Sequence, residues 1–369
     1  MGSPGKKSIN GKFPLSKKPE KILIIKLSAL GDIVNAIPVL RGLRRTFPES
    51  RIDWGVVREW SDIISHDPDL NDIIIFDRKI IARSWFLPGG IKKIIELAKR
   101  LRKDKYDWAI DLQGLFISGL FARVSNAKIR IGLVPSREFA EIFYNHKIEA
   151  SRDMHMVERL ITLARKIGVD VSPDDYRLEI PDESEKFASE FREKFNLNEK
   201  DFIIVNPPTT WPTKNYPANH WRTVVSELAK EIPVVLTGGK NDAESVGKII
   251  EGLDGKIIDM AGKTDLVQYI GLIAFSAGVV CPDTSAAHIA AASGVPSVVI
   301  CGPTRPSRTG AYRLGTHILS PVPCQGCLRR KLCPNFICME SIDPETVIDS
   351  ARKIIEARVD LENSVGGKK

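Results

Sequence analysis

Aromatic side chains make up only 7% of this 369-residue chain. They do not gather beside its basic residues, and no nucleic-acid motif is present, so nucleic acid is excluded as the expected partner. Long apolar runs are also missing. Between Leu266 and Thr304 the only charge is Asp283, yet Pro282, Gly294, Pro296 and interspersed Ser and Thr cut the stretch into pieces too short to span a bilayer. The first 21 residues carry six lysines against one glutamate and no apolar segment, which argues against a signal peptide or an anchor. A disordered basic tail over 1–20 is the expectation, and NSVGGKK at the other end reads the same way. A soluble, cytoplasmic protein follows.

A glycine-rich phosphate loop is a third absence. The apolar run Ile22–Ile25 leads into KLSALGDIVNAIP, residues 26–38, the pattern of a first strand, loop and helix of an α/β domain. A dinucleotide loop needs G-x-G-x-x-G so that backbone can approach the phosphates. Here Gly31 stands alone and Asp32 follows it, placing a negative charge where the anion would sit. Asp32 is therefore either a helix cap, favoured by the positive end of the helix dipole, or a group with a chemical role.

What is present is globular: 43% hydrophobic residues in a chain long enough for two domains. Strands are expected near 21–27, 51–57, 72–76, 107–111 and 129–132, with helices near 32–46, 91–103 and 154–167. After a Gly-, Pro- and Asp-rich linker over 168–186 the alternation restarts. Strands are expected near 202–206, 233–237, 256–259, 278–281 and 297–301. Helices are expected near 217–230, 241–252, 265–275 and 284–293, with a last one from Pro344 to about Val359. This predicts two parallel-sheet α/β domains whose ligands sit at the carboxyl ends of the strands.

Net charge is +8, and residues 91–105, IKKIIELAKRLRKDK, hold seven basic residues against two acidic ones. Ile91, Ile94, Ile95, Ala98 and Leu101 keep a helical period, predicting one buried and one basic face. Such a face is either merely solvated or attracts an anionic membrane surface.

The second half offers anion sites. NPPTTWPTKNYPANHW, residues 206–221, is stiffened by four prolines and carries Thr209, Thr210 and Lys214. In CPDTSAAHIAAASGVP, residues 281–296, Asp283, Thr284 and Ser285 stand at the start of a small-residue helix, whose free N–H groups suit phosphate. His288 lies one turn in, with Gly294 ending the helix. Cys281 and Cys301 read as core. Cys324, Cys327, Cys333 and Cys338 crowd into fifteen residues, C-x2-C-x5-C-x4-C, so structural zinc is conceivable, with reduced thiols the expected state.

Taken together, KLSALGDIVNAIPVLRGLRRTFP, WPTKNYPANHW, LTGGKNDAE, CPDTSAAHIAAASGVPSVVICGPTRPSRTG and the late cysteines ending in CM resemble the ADP-heptose:lipopolysaccharide heptosyltransferases. These are family 9 glycosyltransferases of the GT-B fold, two Rossmann-like domains facing a cleft. The resemblance implies domains at 21–170 (acceptor side) and 171–343 (donor side), followed by a helix and tail over 344–369. It also implies an inverting transfer from ADP-heptose to the lipid A–core oligosaccharide without metal or other cofactor, at the inner face of the membrane. On this likeness Asp32 is the general base and Lys214 the donor-phosphate lysine. Thr209, Thr210, Asp283, Thr284, Ser285 and His288 contact the donor, and Asp242 or Glu244 the ribose. Pro208, where relatives usually have Gly, and Asn215-Tyr216, where Arg-Trp is commoner, are departures that bear on the sugar and the acceptor. Another sugar, a protein acceptor, a nucleotide-sugar isomerase or a non-catalytic binding protein are the rival readings.

Overall fold

The computed structural model describes residues 18–77, 88–331, 333 and 337–366; most of the basic tail and the last three residues lie outside these. Pro19 and Glu20 already belong to the fold, since Ser50 Oγ donates to the Pro19 carbonyl and the Glu20 N–H donates to Asp107.

The first half runs β1 (Lys21–Ile25), α1 (Leu30–Val34), α2 (Ile37–Thr46), β2 (Arg51–Val57), β3 (Asp72–Phe76), α3 (Pro88–Asp104), β4 (Trp108–Asp111), α4 (Phe116–Val124), β5 (Ile129–Val134), β6 (His146–Glu149) and α5 (Met156–Lys166). Ile22 to Ile25 are wholly buried, as expected of a central parallel strand covered on both faces. The helix expected at 32–46 is two helices. It breaks at Asn35–Ala36 because Pro38, in the first turn of α2, has no N–H to continue the ladder.

The second half runs α6 (Asp182–Phe195), β7 (Ile203–Val205), α7 (Ala218–Leu228), β8 (Val234–Leu236), α8 (Ala243–Ile250), β9 (Ile257–Asp259), α9 (Leu266–Ala274), β10 (Gly278–Pro282), α10 (Ser285–Ala292), β11 (Ser297–Cys301), α11 (Pro306–Thr309), β12 (Gly315–Leu319), α12 (Ile337–Glu340) and α13 (Pro344–Gly366). Asp265 and Gln268 satisfy each other's backbone N–H groups at the start of α9. Gly294, at φ +73°, takes the left-handed conformation that ends α10.

Among the described residues the sheets read β3-β2-β1-β4-β5-β6 and β12-β11-β10-β7-β8-β9, with every pair parallel. Renumbered from its own first strand, the second order is the first one reversed. Each sheet therefore has a switch point, at β1/β4 and at β7/β10, where chain connections leave in opposite directions and open a crevice.

One hydrophobic cluster runs through both halves, joining Ile33, Val34, Leu40, Leu160 and Ile161 to Ala286, Ala287, Ile289 and Ala290. The connection between the halves is strapped to the first. Arg41, held by Asp67 and Asp69 of the first half, donates to the Arg177 carbonyl at 3.4 Å, and Arg45 pairs with Asp170 and Asp175. Leu178 N–H donates to the Ala292 carbonyl on the other side.

Candidate active site

Both switch points carry the polar residues singled out in the sequence. At the first, β1 ends in a loop whose Leu27 and Ser28 N–H groups donate to Gln113 Oε1, from the loop after β4, at 3.1 and 3.2 Å. Asp111, ending β4, holds that neighbouring loop. Its carboxylate accepts from Tyr144, Ser118 and the Gln113 and Gly114 backbone, while burial raises its pKa. Asp32 then falls in the first turn of α1, half-buried, its Oδ2 accepting from the Ala29 N–H at a long 3.4 Å. So weak a cap leaves most of the carboxylate's accepting capacity free.

At the second switch point, Lys214 follows β7 and Asp283 follows β10. Lys214 Nζ donates to the Asp283 carbonyl at 2.6 Å and lies 3.4 Å from its Oδ2. The ammonium also sits 4.4 Å from the centre of the Trp211 ring, and the Arg330 guanidinium lies at the same distance from that ring. Two cations on one indole, with the start of α10 beside them, make a positive pocket suited to a polyphosphate. Thr209 Oγ1 accepts from the Trp211 N–H at 3.0 Å and thereby shapes the loop, and Thr210 is exposed. Thr284 is the N-cap of α10, although its side chain makes no capping bond, and Ser285 opens the helix.

The TGG turn packs on this loop: a Cβ on Gly238 would stand 3.0 Å from Pro208 Cγ. Asp242 closes that turn, accepting from the Gly239 N–H at 2.9 Å. Glu244 does not join the site. Its side chain is 83% exposed and pairs with Lys248 one turn along α8, which lowers its pKa.

The two switch points face each other through Gly31 and His288. A Cβ on Gly31 would fall within 3.0 Å of His288 Cδ2, so only glycine lets α1 approach α10 this closely. Burial keeps the His288 imidazole below its ordinary pKa, opposed by the Asp283 and Asp32 carboxylates, and Nδ1 has no hydrogen-bond partner. The Tyr176 hydroxyl lies within reach of both Asn35 Oδ1 (3.2 Å) and the His288 carbonyl (3.3 Å), bridging the halves.

This decides the family. Residues 94–335 match the model of glycosyltransferase family 9 (heptosyltransferase). The chain belongs to glycosyltransferase family 9. It is 26% identical over 310 residues to a lipopolysaccharide core heptosyltransferase of Haemophilus influenzae, covering 83% of this chain and 85% of that one. A family 9 glycosyltransferase structure from Veillonella parvula superposes with a TM-score of 0.78 at 22% identity, covering 92% and 97% of the two chains. The ADP-heptose lps heptosyltransferase II of E. coli gives 0.72 at 24%, covering 92% and 99%. The fold is therefore GT-B, and the protein is a glycosyltransferase.

Residues that sequence reasoning passed over also surround Lys214. Trp211 and Arg330 make up part of the cationic pocket. Thr213 Oγ1 donates to the Arg329 carbonyl at 2.7 Å, tying the cysteine segment to the Lys214 loop. The four clustered cysteines line one small cavity under Thr213 and Pro303, and burial together with the neighbouring thiols pushes the Cys338 thiol up. Among the described residues, no group of three or more His, Cys, Asp or Glu side chains is arranged to hold a metal ion. Cys281 and Cys301 are buried core residues.

The basic helix differs from its sequence pattern. Leu101 is buried, but Ile95 is 48% exposed, and Arg100 pairs with Asp72 at 3.3 Å. The side chains of Ile91 and Ile94 lie outside the described residues. Among the described residues, no helix is long and apolar enough to cross a membrane.

Proposed function

We propose that this enzyme transfers heptose from ADP-heptose to the inner core of lipopolysaccharide with inversion at the anomeric carbon. Residues 21–170 then form the acceptor-side domain and 171–343 the donor-side domain. Support comes chiefly from one observation: the half-free Asp32 carboxylate and the Lys214–Asp283 pair come from different halves of the chain, and both bear on His288, which packs against Gly31.

In this reading the donor diphosphate lies against Lys214, with its oxygens toward the N–H groups at the start of α10. Thr209, Thr210 and Asp242 are its neighbours, and Glu244 drops out. An acceptor hydroxyl lies at Asp32. Its oxygen attacks the anomeric carbon, the bond from that carbon to the diphosphate oxygen breaks, and the hydroxyl proton passes to the Asp32 carboxylate. Lys214 and the helix start offset the charge gathering on departing ADP. One displacement inverts the centre once, so a single base is enough. This answers the question posed by Asp32: the hydroxyl, not the phosphate, belongs at the first helix.

The test is Asp32→Asn. The asparagine amide oxygen can still accept from the Ala29 N–H but cannot take the proton. Melting temperature and ADP affinity should be preserved while transfer falls by roughly 10² to 10⁴. Near-normal transfer would return Asp32 to a capping role, and loss of ADP affinity would reverse the assignment of the two walls.

The acceptor is a lipid-borne sugar, and α3 supplies a surface for its membrane: Lys92, Lys99, Arg102 and Lys103 are exposed along it beside Ile95. A basic face with an apolar member fits peripheral contact with an anionic leaflet.

A further inference from the structure

The central strand β7 ends at the second switch point with no free main-chain donor. A loop that takes phosphate ordinarily offers it backbone N–H groups. Pro207 and Pro208 come directly after Asn206 and have none. The N–H of Asn206 itself is engaged by the Val280 carbonyl of β10 at 2.9 Å. A donor from this strand end can therefore come only from the Asn206 side chain.

That side chain lies on the face of the sheet covered by α9 and α10. Side chains alternate along a strand. Val205 packs into the cluster under α7 and α13, while Ile204 packs into the one that includes α9 and α10. Asn206 falls on the side of Ile204, and the neighbouring β10 leads into Asp283 and the start of α10.

Two hydroxyls fix how the amide is turned. Oδ1 accepts from Thr237 Oγ1, just after β8, and from the Tyr269 hydroxyl on α9, each at 3.1 Å. Burial pushes the Tyr269 phenol up, so it stays protonated and able to donate. Turning the amide over would set its N–H donors against both hydroxyls. The carbonyl is thus held inward and the two Nδ2 hydrogens face away from it. Asn206 is only 9% exposed, yet Nδ2 has no acceptor among the described residues and is not sealed from solvent. A buried amide with its oxygen doubly matched and its nitrogen open is arranged for an acceptor that arrives from outside.

We propose that the Asn206 amide binds the donor, hydrogen-bonding a diphosphate oxygen of ADP, with Tyr269 and Thr237 as positioning residues that keep its N–H groups outward. This rests on the reading that ADP lies at the second switch point, against Lys214 and α10. The lysine is a point charge on a flexible stem, whereas the clamped amide adds no charge and fixes where the oxygen sits.

Calorimetric titration of the full chain with ADP, pyrophosphate and adenosine tests this. Asn206→Asp keeps an oxygen for Thr237 and Tyr269, so its melting temperature should stay near that of the wild type. It sets a carboxylate against phosphate, so ADP and pyrophosphate affinity should fall by about tenfold to a hundredfold, with adenosine unchanged. Asn206→Ala removes the amide without adding charge and should weaken ADP by about tenfold. Tyr269→Phe touches no ligand but lets the amide turn, and should weaken ADP and pyrophosphate by about twofold to threefold, the share of time spent turned over. In transfer assays all three should raise the donor KM and leave the acceptor KM alone.

Wild-type ADP affinity in both Asn206 variants overturns the proposal. So does an equal loss of adenosine affinity, which would put the amide at the nucleoside. If Asn206→Asp does not fold, Asn206→Ala decides alone. A Tyr269→Phe chain that melts lower but binds pyrophosphate normally overturns the positioning role. Lys214→Ala is the separate control. If it keeps normal ADP affinity, the donor assignment fails; if it loses ADP while the Asn206 variants bind as wild type, only the role of Asn206 fails.

Discussion

Lys214 and Asp283 close the switch point of the second sheet, the ammonium 2.6 Å from the Asp283 main-chain oxygen and 3.4 Å from its carboxylate. The carboxylate is 5% exposed, and it holds the lysine over the Trp211 face. On the proposed donor assignment, a lysine positioned this way needs little reorganisation to meet a diphosphate.

Lys214→Ala should weaken ADP binding by about tenfold to a hundredfold, the range for a lost charge-assisted hydrogen bond. Calorimetric titration with ADP checks it. Wild-type affinity and turnover in the variant would leave Lys214 a surface lysine stacked on an indole.

Gly31→Ala places a methyl group inside the van der Waals envelope of the His288 ring. Overpacking of this kind costs about 1–3 kcal/mol, and it should appear as a lower urea midpoint. Transfer should fall with it, since α1 carries Asp32, whereas ADP affinity should hold. A variant as stable and active as wild type would show that α1 and α10 do not need this closeness.

Burial lowers the pKa of His155, His288 and His317 relative to the ordinary imidazole value of about 6.5. The unfolded chain therefore binds more protons than the folded one just below that value, so stability is complete above about pH 6.5 and is lost as pH falls through the depressed folded values. Melting temperature should drop between about pH 6.5 and 5, and His288→Gln should flatten part of the slope. A flat profile over that window would mean that these rings charge freely in the folded state.

On α3, reversing Lys99 and Lys103 to Glu should reduce binding to phosphatidylglycerol-containing vesicles and leave ADP affinity intact. Each basic residue near such a surface contributes about 1 kcal/mol, less at high salt. Arg100 is better left alone, because its pairing with Asp72 would confound the comparison. Equal vesicle binding by variant and wild type reduces the face to ordinary solvation.

Strands buried on both faces were legible from apolar runs alone: Ile22–Ile25 and Ser297–Cys301 stand where the pattern put them. The edge strands His146–Glu149 and Gly315–Leu319 were not, because half-exposed edges need no continuous apolar run. Helix Phe116–Val124 escaped for the opposite reason, being too apolar to show a period. In the site, residues at strand ends could be named one by one, since strand-to-helix loops advertise themselves. Glu244 could not be told from Asp242 by sequence, as one turn of helix decides which carboxylate faces the loop and which the solvent.

The hydrophobic cluster that runs from Ile33 and Leu160 through to Ala287 and Ile289 has a consequence for how the molecule comes apart. Each half contributes apolar surface that the other half covers, so neither retains its own folded energy once its neighbour melts. Heat should thus dissolve both sheets in a single calorimetric step. A chain cut in the 168–181 connection should hold together as a non-covalent pair, and its separated fragments should expose enough apolar surface to aggregate.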